Sequence, residues 1–158
     1  MIGWASAPYD PTWANRFPKR AAAMAAAGPA ANFVLVVLAA IGMRAGLATG
    51  YFELPAGGIS LDTLVVAEAS VAQGLALFTS VLFSINLILG CFNLIPLPPL
   101  DGYAMVPLFL NDRLRDRWFQ LFSGGGSLLG LIVAFVVFGR IMTPVFHWAI
   151  GLLYLGIG

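Results

Sequence analysis

Long apolar runs separated by short polar segments dominate the pattern of this chain. Residues 21–43 and 71–95 contain no charged side chain, and Arg140 is the one Asp, Glu, Lys or Arg within residues 127–157. Because about 20 helical residues cross the hydrocarbon core of a bilayer, the pattern predicts three membrane-spanning helices. Arg140 and Pro144 interrupt the third run. That run is therefore expected to form either one kinked span or a span followed by an interfacial tail.

Segments rich in proline, glycine or charge lie between the spans. Residues 1–20 contain several prolines and aromatic side chains, which favours an interfacial segment over a long helix. The connector over residues 44–70 contains turn-forming glycines, and a helix is expected to begin within residues 62–69. After the second span, residues 102–110 are expected to form a short helix and residues 111–117 a polar turn.

The composition is that of a membrane protein. Of the 158 residues, 60% are hydrophobic and 9% are charged, whereas soluble domains carry roughly 25% charged residues. The mean hydropathy is +0.92. The net charge of +1 provides no excess of basic side chains for a nucleic-acid partner. We therefore expect an all-α integral membrane protein, in which residues 1–158 form a single polytopic helical bundle in contact with the lipid bilayer.

The basic residues predict how the bundle is oriented in the membrane. Three precede the first span, one follows it, and three follow the second span: Arg16, Lys19, Arg20, Arg44, Arg113, Arg115 and Arg117. Loops rich in lysine and arginine stay on the cytoplasmic side. The N-terminus of the chain and residues 111–117 are therefore expected to be cytoplasmic.

An acidic residue ends a short proline-rich segment that follows the second span. Residues 92–102 read FNLIPLPPLDG. Each proline removes an N–H donor and fixes φ, so we expect residues 96–102 to form an extended loop. Non-helical backbone beside a span persists only when it is buried in protein or lines a wet cavity, and an ionisable group there indicates a functional site. Asp101 is that group, although it could equally be the N-cap of a helix beginning at Gly102.

Polar amides lie within the first two spans. Asn86, Gly90 and Asn93 are spaced i, i+4 and i+7, so they share one helix face that should point into protein. In the first span, Gly28-Pro29 is expected to interrupt the helix, and Asn32 follows about one turn later. These amides could pack between helices, and Asn93 could instead contact a substrate.

Three segments together resemble a known family. Residues 86–102 resemble the asparagine–proline–aspartate–glycine signature of the site-2 proteases, which are intramembrane zinc metalloproteases. Residues 27–32 are similar to the alanine-glycine-proline-x-x-asparagine segment of that family, and residues 3–8 to its glycine-tryptophan-alanine stretch. The resemblance covers residues 3–105.

The resemblance implies a zinc peptidase that cleaves membrane-protein or peptide substrates in a bacterial or archaeal plasma membrane. In the family, two histidines of an HExxH helix and the aspartate of the proline loop hold zinc, and the HExxH glutamate activates the metal-bound water. Asp101 would then be the third zinc ligand, and Asn93 an orienting or oxyanion-side amide near the scissile carbonyl. The residues implied to shape the site are Gly28, Pro29, Asn32, Asn86, Pro96, Pro99 and Gly102.

The chain departs from the family pattern at the zinc helix. It contains no HExxH, and its single histidine, His147, lies far beyond Asp101. We therefore expect an N-terminally truncated family member or a pseudoprotease, inactive and without catalytic zinc as it stands. A non-catalytic membrane scaffold and a small ion-coupled transporter module remain alternatives, the latter because a broken helix with an acid at membrane depth also suits ion coupling.

Overall fold

The described part of the protein is helical. The computed structural model describes residues 11–122 and 126–157, so the glycine-tryptophan-alanine stretch lies outside it. Its elements are α1 (Pro11–Arg16), α2 (Pro18–Ala48), α3 (Ser70–Asn93), α4 (Asp101–Met105), a 3-10 turn (Val106–Phe109), α5 (Asp112–Leu121) and α6 (Gly126–Leu153). Within the described ranges, β pairing is limited to two isolated antiparallel bridges. The predicted all-α class is confirmed.

Three of the helices are long and apolar enough to cross a membrane. They cover Pro18–Ala48, Ser70–Asn93 and Leu128–Leu153, close to the three predicted runs. The third run is one helix that continues through Pro144, which decides between the two forms expected for it. The chain is therefore an integral membrane protein.

The first span does not break at its glycine-proline pair, contrary to the prediction. Helix α2 continues for 31 residues with Pro29 inside it. Pro29 lacks the N–H that would donate to the Ala25 carbonyl, and its ring crowds that carbonyl, so this turn of the helix depends on packing. Pro29 is also fully buried, and packing of this kind is what allows proline within membrane helices.

Helix α3 is the central span. Eight of its 24 residues are buried, against four of 31 in α2. The two helices run antiparallel and approach closely at Gly90, where an added Cβ would lie 3.1 Å from the Phe33 ring and 3.4 Å from Cβ of Asn32. The small residue at position 90 thus sets the spacing between these spans.

The connector between α2 and α3 is not helical over residues 62–69, contrary to expectation. The side-chain hydroxyls of Ser60 and Thr63 both donate to the carboxylate of Asp62, at 2.6 and 3.2 Å. Such local bonds favour a turn over a helix, and helix α3 begins only at Ser70.

Two side chains, one from α3 and one from just beyond α6, bind the connector at Leu64. The backbone N–H groups of Leu64 and Val65 donate to Oγ of Ser80 on α3, at 3.1 and 3.3 Å. The Tyr154 hydroxyl, just beyond α6, donates to the Leu64 carbonyl. The connector is therefore part of the packed end of the bundle.

Arg44 of α2 caps the C-terminal end of α6. Its guanidinium donates to the carbonyls of Leu153 at 2.7 Å and Leu155 at 3.1 Å. The last carbonyls of a helix lack partners within the helix, and a cation there also complements the helix dipole. This contact fixes the C-terminal ends of α2 and α6 on the same side of the bundle.

Candidate functional site

The proline loop between α3 and α4 is a compact series of turns, so the predicted extended conformation is wrong. The four residues of the loop that carry an N–H all donate within it or to the end of α3. The bonds run from Leu94 to Gly90 at 3.2 Å, Ile95 to Phe92 at 3.1 Å, Leu97 to Ile95 at 2.8 Å and Leu100 to Leu97 at 3.0 Å. The prolines fix φ, and burying the remaining donors requires these internal bonds.

Gly102 allows the loop to close on itself. A Cβ at this position would lie 2.5 Å from the carbonyl oxygens of both Leu94 and Ile95. Those oxygens belong to backbone that cannot rotate away, so a side chain at position 102 would open the loop. Gly102 therefore fixes where α4, and with it Asp101, begins.

Helix α6 holds the loop from its other side. The close approach occurs at Gly130, where an added Cβ would collide with the Pro98 carbonyl oxygen. Ala134, one turn further on, is fully buried against Ile95 and Leu100. Sequence reasoning missed Gly130 because a glycine within an apolar run is common in membrane helices and carried no signal of its own.

Asp101 is the first residue of α4, and it is not a cap. The N-cap position is occupied by Leu100, without a side-chain hydrogen bond. The alternative prediction, that Asp101 is the N-cap of a helix beginning at Gly102, is therefore wrong. Its carboxylate has no hydrogen bond or ion pair to any described residue. Burial raises the pKa of the Asp101 carboxyl above its usual value, because desolvation disfavours the charged form.

A cavity of about 890 Å³ contains Asp101 in its wall. The rest of the wall comes from α1, the start of α2, the second half of the proline loop, α4, the 3-10 turn and α5, through residues that include Pro98, Pro99, Ala21 and Phe119. The predicted polar turn over residues 111–117 is wrong, because Asn111 caps α5 by accepting from the Leu114 N–H at 3.0 Å.

Two charged residues of α5 also line the cavity of Asp101. Arg115 and Asp116 both face it, and Nε of Arg115 lies 3.9 Å from Oδ1 of Asp116. An aromatic contact holds α5 there, since the Trp118 indole donates to the Tyr103 carbonyl at 3.2 Å and the two rings stack at 5.6 Å. Of the two carboxylates in the cavity wall, Asp116 therefore has a basic neighbour, whereas Asp101 forms no ion pair with a described residue.

Gly28 of α2 faces the Asp101 carboxylate. A Cβ on Gly28 would lie 2.9 Å from Oδ2 of Asp101. The absence of a side chain at position 28 is thus what leaves space for the acid beside α2. Two of the three sequence segments that carried the family resemblance meet at this contact.

None of the three candidate amides, Asn32, Asn86 and Asn93, lines the cavity of Asp101. Asn86 is buried and donates to the Leu82 carbonyl of its own helix at 2.8 Å. Asn93 is the last residue of α3 and is half-buried. No described residue makes a hydrogen bond with its side chain, and it does not line the cavity of Asp101. Asn32 lies beside Gly90.

The described residues do not by themselves fit a catalytic zinc ion. They contain no group of three or more histidine, cysteine, aspartate or glutamate residues that could bind a metal, and a catalytic zinc needs three protein ligands. His147 lies on α6 with Nδ1 2.8 Å from the Thr143 carbonyl oxygen of the same helix. Asp101 is thus at most one donor of such a site.

Comparison with known proteins identifies a similar protein and a family. The protein named "Putative zinc metalloprotease YwhC" from Bacillus subtilis (strain 168) is 38% identical over 76 residues, which cover 48% of this chain and 31% of that relative. No solved structure matches the chain. The model of peptidase family M50 matches residues 5–137, which is most of the chain. The chain therefore belongs to peptidase family M50, the site-2 protease family.

Proposed function

We propose that this chain is part of an intramembrane zinc metalloendopeptidase and that it supplies Asp101 as one ligand of the metal. The observation that carries the proposal is an acid without a partner among the described residues, half-buried in the wall of a large cavity. A structural carboxylate in such a place would be expected to cap a helix or pair with a cation. A carboxylate that binds a metal must keep its oxygens available.

The remaining zinc ligands would come from outside residues 1–158. Two histidines are needed beside Asp101, and the chain contains one, on the exposed side of α6. The family resemblance suggests an HExxH helix as their source. When bound, zinc would supply a water of lowered pKa as the nucleophile. This chain's own contribution would be to hold the Asp101 carboxylate between the closed proline loop and Gly28.

Asn93 is proposed to bind the substrate backbone. The N–H groups of residues 94–100 are all used internally, so the loop cannot donate to an unwound peptide in the way that an extended loop would. The Asn93 side chain carries two N–H donors and forms no hydrogen bond to a described residue. At the end of a membrane span, it is suited to donate to the carbonyl of a substrate peptide bond.

The first test is the coding sequence upstream of Met1. An in-frame HExxH there would allow the joined protein to be expressed and assayed for cleavage of a transmembrane peptide. Asp101→Asn is expected to abolish cleavage, whereas Asp116→Asn, an acid that lines the same cavity but pairs with Arg115, is expected to retain it. Equal loss in both variants would contradict a specific function for Asp101.

The orientation is part of the proposal. The N-terminal end of α2 and residues 111–117 would be cytoplasmic, so the cavity of Asp101 would lie near the cytoplasmic face. In a protein with Cys91→Ser and Arg113→Cys, the cysteine at position 113 should react with a membrane-impermeant maleimide only after the cells are opened. Labelling in intact cells would show that the protein has the opposite orientation.

A non-catalytic membrane scaffold is the second candidate. It is favoured by one observation, the absence of a three-donor metal cluster among the described residues. If no HExxH is encoded upstream and the chain nevertheless binds transmembrane peptides, the scaffold explains the fold better than the peptidase does. Proton- or ion-linked uptake that is lost in Asp101→Asn would instead favour a transporter.

A further inference from the structure

A second cavity lies beside the one that contains Asp101. Its volume is about 360 Å³. It shares three wall residues with the cavity of Asp101, namely Pro18, Pro107 and Arg115. It opens where the apolar part of α2 begins, and nothing in the proposed peptidase chemistry uses it.

The lining of this second cavity is strongly basic. Arg16, Lys19 and Arg20 come from the end of α1 and the start of α2, and Arg115 comes from α5. Among the described residues that line it, none is acidic. Arg115 has Asp116 beside it. Arg16, Lys19 and Arg20 are close enough to repel one another around one small volume, and this cost falls when an anion lies between them. The charge of the cavity therefore favours an anionic ligand.

An aromatic ring holds two of these cations in place. The guanidinium carbons of Arg16 and Arg20 lie 5.5 and 5.1 Å from the centre of the Phe17 ring, within range of a cation–π interaction. Trp13 packs against the same ring at 6.0 Å between centroids. The two guanidiniums are thus oriented before any ligand arrives, which lowers the entropic cost of binding.

Apolar side chains complete the cavity wall. Phe17, Pro107 and Leu110 line it together with the cations, and the neighbouring Phe109 is 83% exposed. A free inorganic anion would leave this apolar surface in water. A ligand with a phosphate group joined to hydrocarbon chains would satisfy both parts.

We propose that this cavity binds an acidic phospholipid, with the phosphate between the arginines and an acyl chain along Leu110 and Phe109. The position suits such a ligand, because the apolar run of α2 starts at Ala21, directly after the basic cluster. Clusters of basic residues at the end of a membrane helix attract the anionic head groups of the adjacent leaflet. The bound lipid would join α1, α2 and α5 at the wall of the Asp101 cavity.

The test uses the full chain purified in an uncharged detergent. Native mass spectrometry would count bound molecules of dioleoyl phosphatidylglycerol, of dioleoyl phosphatidylcholine, and of phosphatidylglycerol in the presence of inorganic phosphate. The site variant is Arg16→Gln with Arg20→Gln. Its matched control is Arg113→Gln with Arg117→Gln, which removes the same charge from exposed positions that do not line the cavity.

The wild-type chain and the control should retain phosphatidylglycerol. The site variant should bind it roughly 25-fold more weakly, since each basic side chain near an anionic head group contributes about fivefold. Circular dichroism must show the same helix content in all three proteins. Equal weakening in both variants, equal retention of phosphatidylcholine, or full displacement by an equal concentration of inorganic phosphate would each overturn the proposal.

Discussion

Gly28 of the first span and Asp101 of the proline loop, 73 positions apart in the chain, are in direct contact. The Asp101 carboxylate occupies the space that a side chain at position 28 would need, with Oδ2 2.9 Å from an added Cβ. The proposed function depends on this relationship, because it keeps the carboxylate beside α2 without giving it a polar partner there.

Gly28→Ala is expected to disturb the acid more than the helix. Alanine is about 1 kcal/mol more favourable than glycine within a helix, and Gly42→Ala, where an added Cβ meets nothing within 4 Å, should show that gain in thermal unfolding. Gly28→Ala should gain less, because Asp101 must rotate away. If the two variants are equally stable and bind zinc equally once joined to an HExxH segment, the contact has no function.

Gly102→Ala is expected to open the loop. The added methyl group would press on two backbone carbonyls at 2.5 Å, and overpacking of this kind costs about 1–3 kcal/mol. Gly57→Ala in the connector, where an added Cβ has no neighbour within 4 Å, is the control. Thermal unfolding followed by circular dichroism separates the two. A Gly102→Ala protein as stable as the control would contradict the packing described for the loop.

Arg44→Gln is expected to loosen the C-terminal end of α6. The substitution removes a cation that donates to the carbonyls of Leu153 and Leu155, and the loss should destabilise the bundle by about 1–2 kcal/mol. Amide hydrogen exchange should increase in the last turn of α6. Arg140→Gln, which removes an exposed arginine from the middle of the same helix, should leave that exchange unchanged.

The stability of the connector should decrease as the pH falls into the acid range. The hydroxyl of Ser60 donates to the Asp62 carboxylate and, with smaller contributions from the backbone and Thr63, holds the pKa of Asp62 below 3.8. Because the folded pKa is lowered, the contribution to stability is complete above the unfolded pKa and is lost as the pH falls through the folded value. Carboxyl NMR titration of Ser60→Ala should show the pKa of Asp62 moving up towards 3.8. An unchanged pKa would show that the Ser60 hydroxyl does not stabilise the charged Asp62 carboxylate.

The spans were predictable from the sequence, whereas the form of the loop was not. Three long apolar runs are enough to predict α2, α3 and α6, because lipid requires a helix wherever backbone crosses it. Proline content alone misled at Pro29 and in the loop. In α2 the helix continues because Pro29 is fully packed, and in the loop the few remaining N–H groups find carbonyls two to four residues away.

The candidate site was predictable only in part, for a related reason. Asp101 stood out as a single acid beside an apolar run, and Gly28 through its resemblance to a family segment. Gly130 acts only through its contact with Pro98 across the bundle, and nothing near it in the sequence reports that contact. The position of Arg115 and Asp116 in the cavity wall likewise depends on α5 being a helix and not a turn.

The most direct test of the central claim is the zinc content of the purified protein. The chain by itself should hold no stoichiometric zinc, whereas the protein joined to an upstream HExxH segment should hold one zinc ion that is lost in Asp101→Asn and kept in Asp116→Asn. Stoichiometric zinc in Asp101→Asn of the joined protein would contradict the assignment of Asp101 as a ligand.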